Sequence, residues 1–172
     1  MKTLSIRIIP FVLLVVLFGC NTTSNNTSKK IPDEKIETAK TDVKKVLKEY
    51  KNAIENLSAD NTIDLFAKNS AVFESGGLEG TYKNYVEHHL KPELKLFKSF
   101  KFTNYKVDVS IDLPYAFSTE TYVYTIVVKA DKEKARKERT ISQKGVATAV
   151  LKNIDGKWKI LKYHSSARRI RK

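Results

Sequence analysis

The fold is decided by two adjacent runs, Thr140-Ile141-Ser142-Gln143-Lys144-Gly145-Val146-Ala147-Thr148-Ala149-Val150-Leu151 and Asn153-Ile154-Asp155-Gly156-Lys157-Trp158-Lys159-Ile160-Leu161-Lys162-Tyr163-His164-Ser165-Ser166-Ala167-Arg168. Two long strand-like stretches flank an Asp-Gly pair, a combination that favours a tight hairpin. Upstream, Phe100 to Ile111 and Tyr115 to Val128 have the same character. Consecutive long strands joined by short links predict an antiparallel sheet.

The first half of the domain has a different period. From Asp33 to Leu57, Val43, Val46, Leu47, Tyr50, Ile54 and Leu57 recur at three- and four-residue steps, with lysines and glutamates opposite, which predicts an amphipathic helix. Asp60-Asn61 offers a cap for a short second helix with Ile63, Leu65 and Phe66. Ser70 to Glu74 reads as a brief strand and Gly76 to Gly80 as a turn. Thr81 is placed to cap a third helix through Tyr82, Tyr85, Val86, His89 and Leu90, ending near Pro92. Helices first and sheet last argue α+β, with N-terminal helices packed on one face of the sheet. A strongly bent antiparallel sheet around a helix forms a cone with a pocket.

Toward the N-terminus, Lys2 and Arg7 precede the apolar run Ile8 to Phe18, then Gly19 and Cys20. Charge, a short apolar core and a small residue make a signal peptide over residues 1–19. The run is too short to span a bilayer of ~30 Å as a stable helix. Leu17-Phe18-Gly19-Cys20 resembles the bacterial lipobox, which implies a lipid on Cys20 and the lipid bilayer as a partner. The expected site of action is the cell envelope, on a bacterial membrane, periplasmic or surface-facing. Cys20 is the only cysteine, so no internal disulfide is available. Residues 20–34 open with Asn21 to Ser28 and hold too little apolar surface for a core, so they read as a lipidated flexible tether. Residues 35–172 are then one domain.

The formal net charge of +13 raises the question of nucleic acid. The lysines alternate with glutamates, as in Asp131 to Glu138, and the predicted anchor removes the chain from cytoplasmic nucleic acid. We therefore expect no nucleic-acid partner. The basic end Arg168 to Lys172 is a solvated tail or a contact for anionic lipid. No phosphate-binding loop, dinucleotide fingerprint or zinc-ribbon cysteine pattern is present.

The order helix, short helix, strand, Gly-rich turn, helix and four strands resembles the nuclear transport factor 2-like superfamily, which includes SnoaL-like cyclases and ketosteroid isomerases. Glu74-Ser75-Gly76-Gly77, Tyr85-Val86-Glu87-His88-His89-Leu90 and His164-Ser165-Ser166-Ala167-Arg168 carry the likeness most specifically, within Lys40 to Arg168. The resemblance implies a cone-shaped α+β barrel over residues 35–172, open at one end, with a pocket but no assigned reaction.

All three histidines, His88, His89 and His164, fall in these segments. Strict alternation along the last strand puts Trp158, Ile160, Lys162, His164 and Ser166 on one face. His89, His164 and Glu74 are then candidates to converge as an acid/base set or a metal site, the bland alternative being polar residues in a pocket wall. Tyr85, His88, Tyr122, Tyr124 and Ser166 are candidate ligand-binding residues. Glu120 shares a face with Tyr122 and Tyr124, and reads more readily as an exposed strand charge than as a buried acid. Trp158 and Ile160 read as core. Two function classes stay open: a domain that binds a small apolar ligand or dimerises through the sheet, and a small envelope enzyme such as an isomerase, dehydratase or hydrolase. The sequence names no cofactor.

Overall fold

Helix α1 runs Asp33–Glu55 and buries Ala39, Val43, Leu47, Tyr50 and Ile54, one residue per turn along a single stripe. The computed structural model describes residues 32–170. The expected signal peptide at 1–19, Cys20 and all but the last residues of the expected tether at 20–34 lie outside them. Asp33 and Glu34 already belong to α1, where their carboxylates suit the positive end of the helix dipole.

After a single 3-10 turn at Ile63–Leu65 come β1 (Phe66–Glu74) and β2 (Gly77–Gly80), an antiparallel hairpin. The helical layer continues with α2 (Tyr82–Tyr85), a π turn (Val86–Leu90) and α3 (Lys91–Leu96). Thr81 caps α2 by accepting from the Asn84 N–H at 3.3 Å. The helix does not end near Pro92 as expected, but runs on to Leu96. A proline lacks the N–H and crowds the carbonyl four residues back. The wider π turn just before it supplies that room, with Lys91 bonded back to the Val86 carbonyl.

Four long strands complete the chain: β3 (Phe97–Asp112), β4 (Tyr115–Val128), β5 (Arg139–Ile154) and β6 (Lys157–Arg169). They meander antiparallel, and the six strands stand in the order β2-β1-β6-β5-β4-β3. The α+β expectation holds, with one refinement. β1 joins β6 in parallel, because the helices between them return the chain to the same end of the sheet.

The helices cover one sheet face. Val43, Leu47, Val72, Tyr82, Val86, Leu151 and Ile160 are fully buried between the layers. Tyr50 is the hub, its ring meeting Phe66, Tyr82 and Tyr163 edge-on at 5.3, 5.8 and 5.2 Å. The Tyr82 hydroxyl donates to Thr62 at 2.8 Å, so the buried phenol is satisfied. Trp158 and Ile160 are buried, as their pattern predicts.

Candidate functional site

Two β-bulges decide which side chains reach the inner face of the sheet. In β3 the register shifts between Thr103 and Lys106, so Asn104 and Tyr105 together oppose one residue of β4. Asn104 takes the left-handed conformation this needs (φ 53°), which asparagine tolerates better than most residues. Alternation restarts there, and Phe100, Phe102 and Tyr105 all line the same cavity. In β6 an extra residue, Leu161, stands where Val150 and Leu151 pair with Lys162 and Ile160. Tyr163 thereby turns inward beside Trp158 and Ile160, and His164 turns outward.

The inner face encloses a cavity of about 410 Å³. One wall is aromatic: Phe100, Phe102, Tyr105, Tyr122 and Tyr124 lie in a chain of ring contacts with centroids 4.9–6.4 Å apart. Gly145, directly opposite Tyr122, makes the wall possible. A Cβ there would come within 2.1 Å of the Tyr122 ring. At the base sits Glu120, only 4% exposed, which corrects the expectation of an exposed charge. Its Oε2 accepts from the Tyr105 hydroxyl, while Oε1 is buried with no partner. Burial pushes its pKa up to about 6, against a lowering hydrogen bond from Tyr105. Burial, with the nearby Glu120 charge, also holds the Tyr105 and Tyr122 phenols well above the ordinary range.

A second polar group lines the side of the cavity. The Tyr85 hydroxyl donates to Glu74 Oε2 at 2.8 Å. His89 lies among three carboxylates: Nδ1 is 3.2 Å from Glu79 Oε2, and Nε2 is 3.6 Å from Glu74 and 3.5 Å from Glu93. Partial burial lowers the His89 pKa, but the charges of Glu93 and Glu74 and the contact with Glu79 outweigh it, and the net shift is upward. Glu93 is pushed up by burial, opposed by His89.

The expected trio of His89, His164 and Glu74 does not assemble. His89 and Glu74 meet, but His164 is exposed on the outer face, because the Leu161 bulge reverses the strand's alternation. Among the described residues no group of three His, Cys, Asp or Glu is arranged to hold a metal. Tyr85, Tyr122 and Tyr124 line the cavity, Ser166 reaches its rim, and His88 is exposed to solvent. Tyr105 and Glu93 line the cavity, and Glu79 meets His89, without any motif to mark them. Only a glycine inside a strand pattern, Gly145, hints at a close approach there.

The family profile of the SnoaL-like domain matches residues 43–169. No curated protein is similar enough in sequence to count as a match. Among solved structures, the chain resembles a Streptomyces avermitilis protein described as a candidate dehydratase of the nuclear transport factor 2-like family. The TM-score is 0.65 at 17% identity, covering 78% of this chain and 99% of that one. A candidate ketosteroid isomerase from Shewanella frigidimarina gives 0.56 at 24% identity, covering 71% and 92%. A candidate scytalone dehydratase from Novosphingobium aromaticivorans gives 0.62 at 12% identity, covering 76% and 85%. At these identities the likeness is one of fold.

Proposed function

The chain belongs to the SnoaL-like domain family, and from that premise we propose that its cavity binds a small, largely apolar molecule and moves a proton to or from it through Glu120. One observation carries the reading: a sealed carboxylate with one oxygen free of partners, at the base of an aromatic-walled cavity. A buried acid with a perturbed pKa in the main cleft is the usual mark of an acid/base site. With a pKa of about 6, Glu120 is mostly ionised at neutral pH and can accept a proton, while the protonated form remains accessible for the return step. The hydroxyl of Tyr105 fixes the carboxylate's orientation and leaves Oε1 without a partner. Dehydration and ketosteroid isomerisation, named in the descriptions of the structural neighbours, are reactions of this proton-moving kind.

The test is incubation in D2O with small cyclic hydroxyketones and unsaturated ketones, with and without an amino group, read by mass spectrometry. The wild-type protein should incorporate deuterium or release water from at least one of them. Glu120→Gln should bind the same compound and leave it unchanged. Equal turnover by both proteins would remove Glu120 from the chemistry. Binding without turnover in either would reduce the domain to a passive receptor.

We place this activity at the bacterial cell envelope, with the domain on a lipid-anchored tether. The support is the leader of residues 1–19 and the lipobox-like Leu17-Phe18-Gly19-Cys20. Two or three acyl chains at ~0.8 kcal/mol per buried CH₂ would hold it firmly. Cys20→Ala should move the protein from the detergent phase to the aqueous phase in a partition assay; unchanged partitioning would contradict the anchor.

A further inference from the structure

The chain as a whole is strongly basic, yet the charges that face its cavity are even in number. Glu74, Glu93 and Glu120 line it, as do Lys51, Arg136 and Arg139. Two of the three cations are already paired outside the ligand space: Lys51 with Glu55 at 2.7 Å, and Arg136 with Asp131 at 3.4 Å. The acids are less well compensated. Glu74 and Glu93 share one imidazole, His89, at 3.6 and 3.5 Å, and even a protonated ring offsets only one of the two. Glu120, at the base, forms no ion pair among the described residues, and its Oε1 has no hydrogen-bond donor.

The wall between these acids is also suited to positive charge. The faces of Phe100, Phe102, Tyr105, Tyr122 and Tyr124 present electron-rich surface, which attracts ammonium groups within about 6 Å. Two of these rings already do so from the helix side, with the Lys51 ammonium 5.7 Å from the centroids of both Phe102 and Tyr105. Among the described residues, Phe100, Tyr122 and Tyr124 carry no such cation.

The geometry points to an organic ammonium as the ligand class of this cavity: a small molecule whose apolar body lies on the aromatic row and whose positive nitrogen is held by Glu74 and Glu93, which meet at the same His89 nitrogen. The inference rests on the cavity being a ligand site, and it adds the charge of the ligand. It runs against the field of the whole molecule, since a chain of net charge +13 draws anions. A preference for cations must therefore arise inside the cavity.

A matched set separates the two ideas: tryptamine, tryptophol and indole-3-acetate share one ring system and carry positive, zero and negative charge at pH 7. Titration calorimetry with the purified protein at physiological salt should rank tryptamine at least tenfold tighter than tryptophol, with indole-3-acetate weakest. The double substitution Glu74→Gln with Glu93→Gln should bring tryptamine to within about threefold of tryptophol. It should leave tryptophol binding where it was, which also shows that the fold is intact. Equal affinities for amine and alcohol, or a preference for the carboxylate, would overturn the ammonium inference and leave the apolar pocket standing. Failure of all three to bind would overturn the ligand-site reading as well.

Discussion

Glu120 is the residue at which stability and chemistry pull apart. Unfolded, its carboxyl titrates near 4.5; folded, near 6. Between those values the folded chain keeps a proton that the unfolded chain has released. Stability therefore falls as pH rises through this window, by about 2 kcal/mol for a shift of this size. Glu120→Gln should lack that fall and be more stable at pH 7 by a similar amount, measured by urea denaturation across pH 4–8. An unchanged pH profile would mean that the carboxylate is solvated. His89 works in a different window, because a raised histidine pKa adds stability at low pH that is lost as pH climbs through the folded value, above 6.5. Gly145→Ala tests the aromatic wall. The new methyl cannot coexist with the Tyr122 ring, so the ring must leave the cavity wall, at a cost of about 1–3 kcal/mol, with weakened ligand binding. A variant with the parent melting temperature and a tyrosine still in place would mean that the strands can spread. Alternation put Glu120, Tyr122 and Tyr124 on one face, but it does not say which face is concave or how deeply the other layer covers it, so neither the tyrosines' place in the cavity wall nor the burial of Glu120 was legible.

Elements were legible where their period was uniform and obscure where one residue interrupted it. The α1 stripe, the four long strands and the Asp155-Gly156 hairpin all stand where simple periodicity puts them. His164 was misplaced because Leu161 adds one residue to β6, and a single extra residue reverses every side chain after it. No composition signal marks that bulge. Asn104 in β3 and the π turn ahead of Pro92 are irregularities of the same kind. The β5–β6 hairpin offers a clean measurement: Gly156 has φ +80° with open space where a Cβ would go, so Gly156→Ala should cost about 1–2 kcal/mol of backbone strain and nothing from sterics. One residue pair along, Trp158→Ala should cost about 3–5 kcal/mol, since its ring is 6% exposed under the N-terminal part of the core. Trp158 fluorescence emitting at the wavelength of free tryptophan would already contradict that burial.

For the whole molecule, the outer face of the sheet is the part that the cavity leaves unused. Phe117 and Val146, 47% and 45% exposed, stand on neighbouring strands with Thr119, Thr121 and Thr148 and no charged side chain between them. Two copies of so basic a chain repel each other except where a surface is uncharged, and we therefore propose that this face meets a second copy. Sedimentation should show a dimer that Val146→Lys converts to a monomer; a monomeric wild type at micromolar concentration would refute it. The parallel seam between β1 and β6 has another outcome, in time rather than in space. Val72 finds its partner in Tyr163, 91 residues further along, so the seam stays open until the last strand has been synthesised. Distant pairings of this kind slow folding to the millisecond-to-second range. A chain ending before Lys157 should have no cooperative melt. The strands before β6 are therefore made without the partner that closes them, and the sheet is completed only once synthesis has reached Arg169.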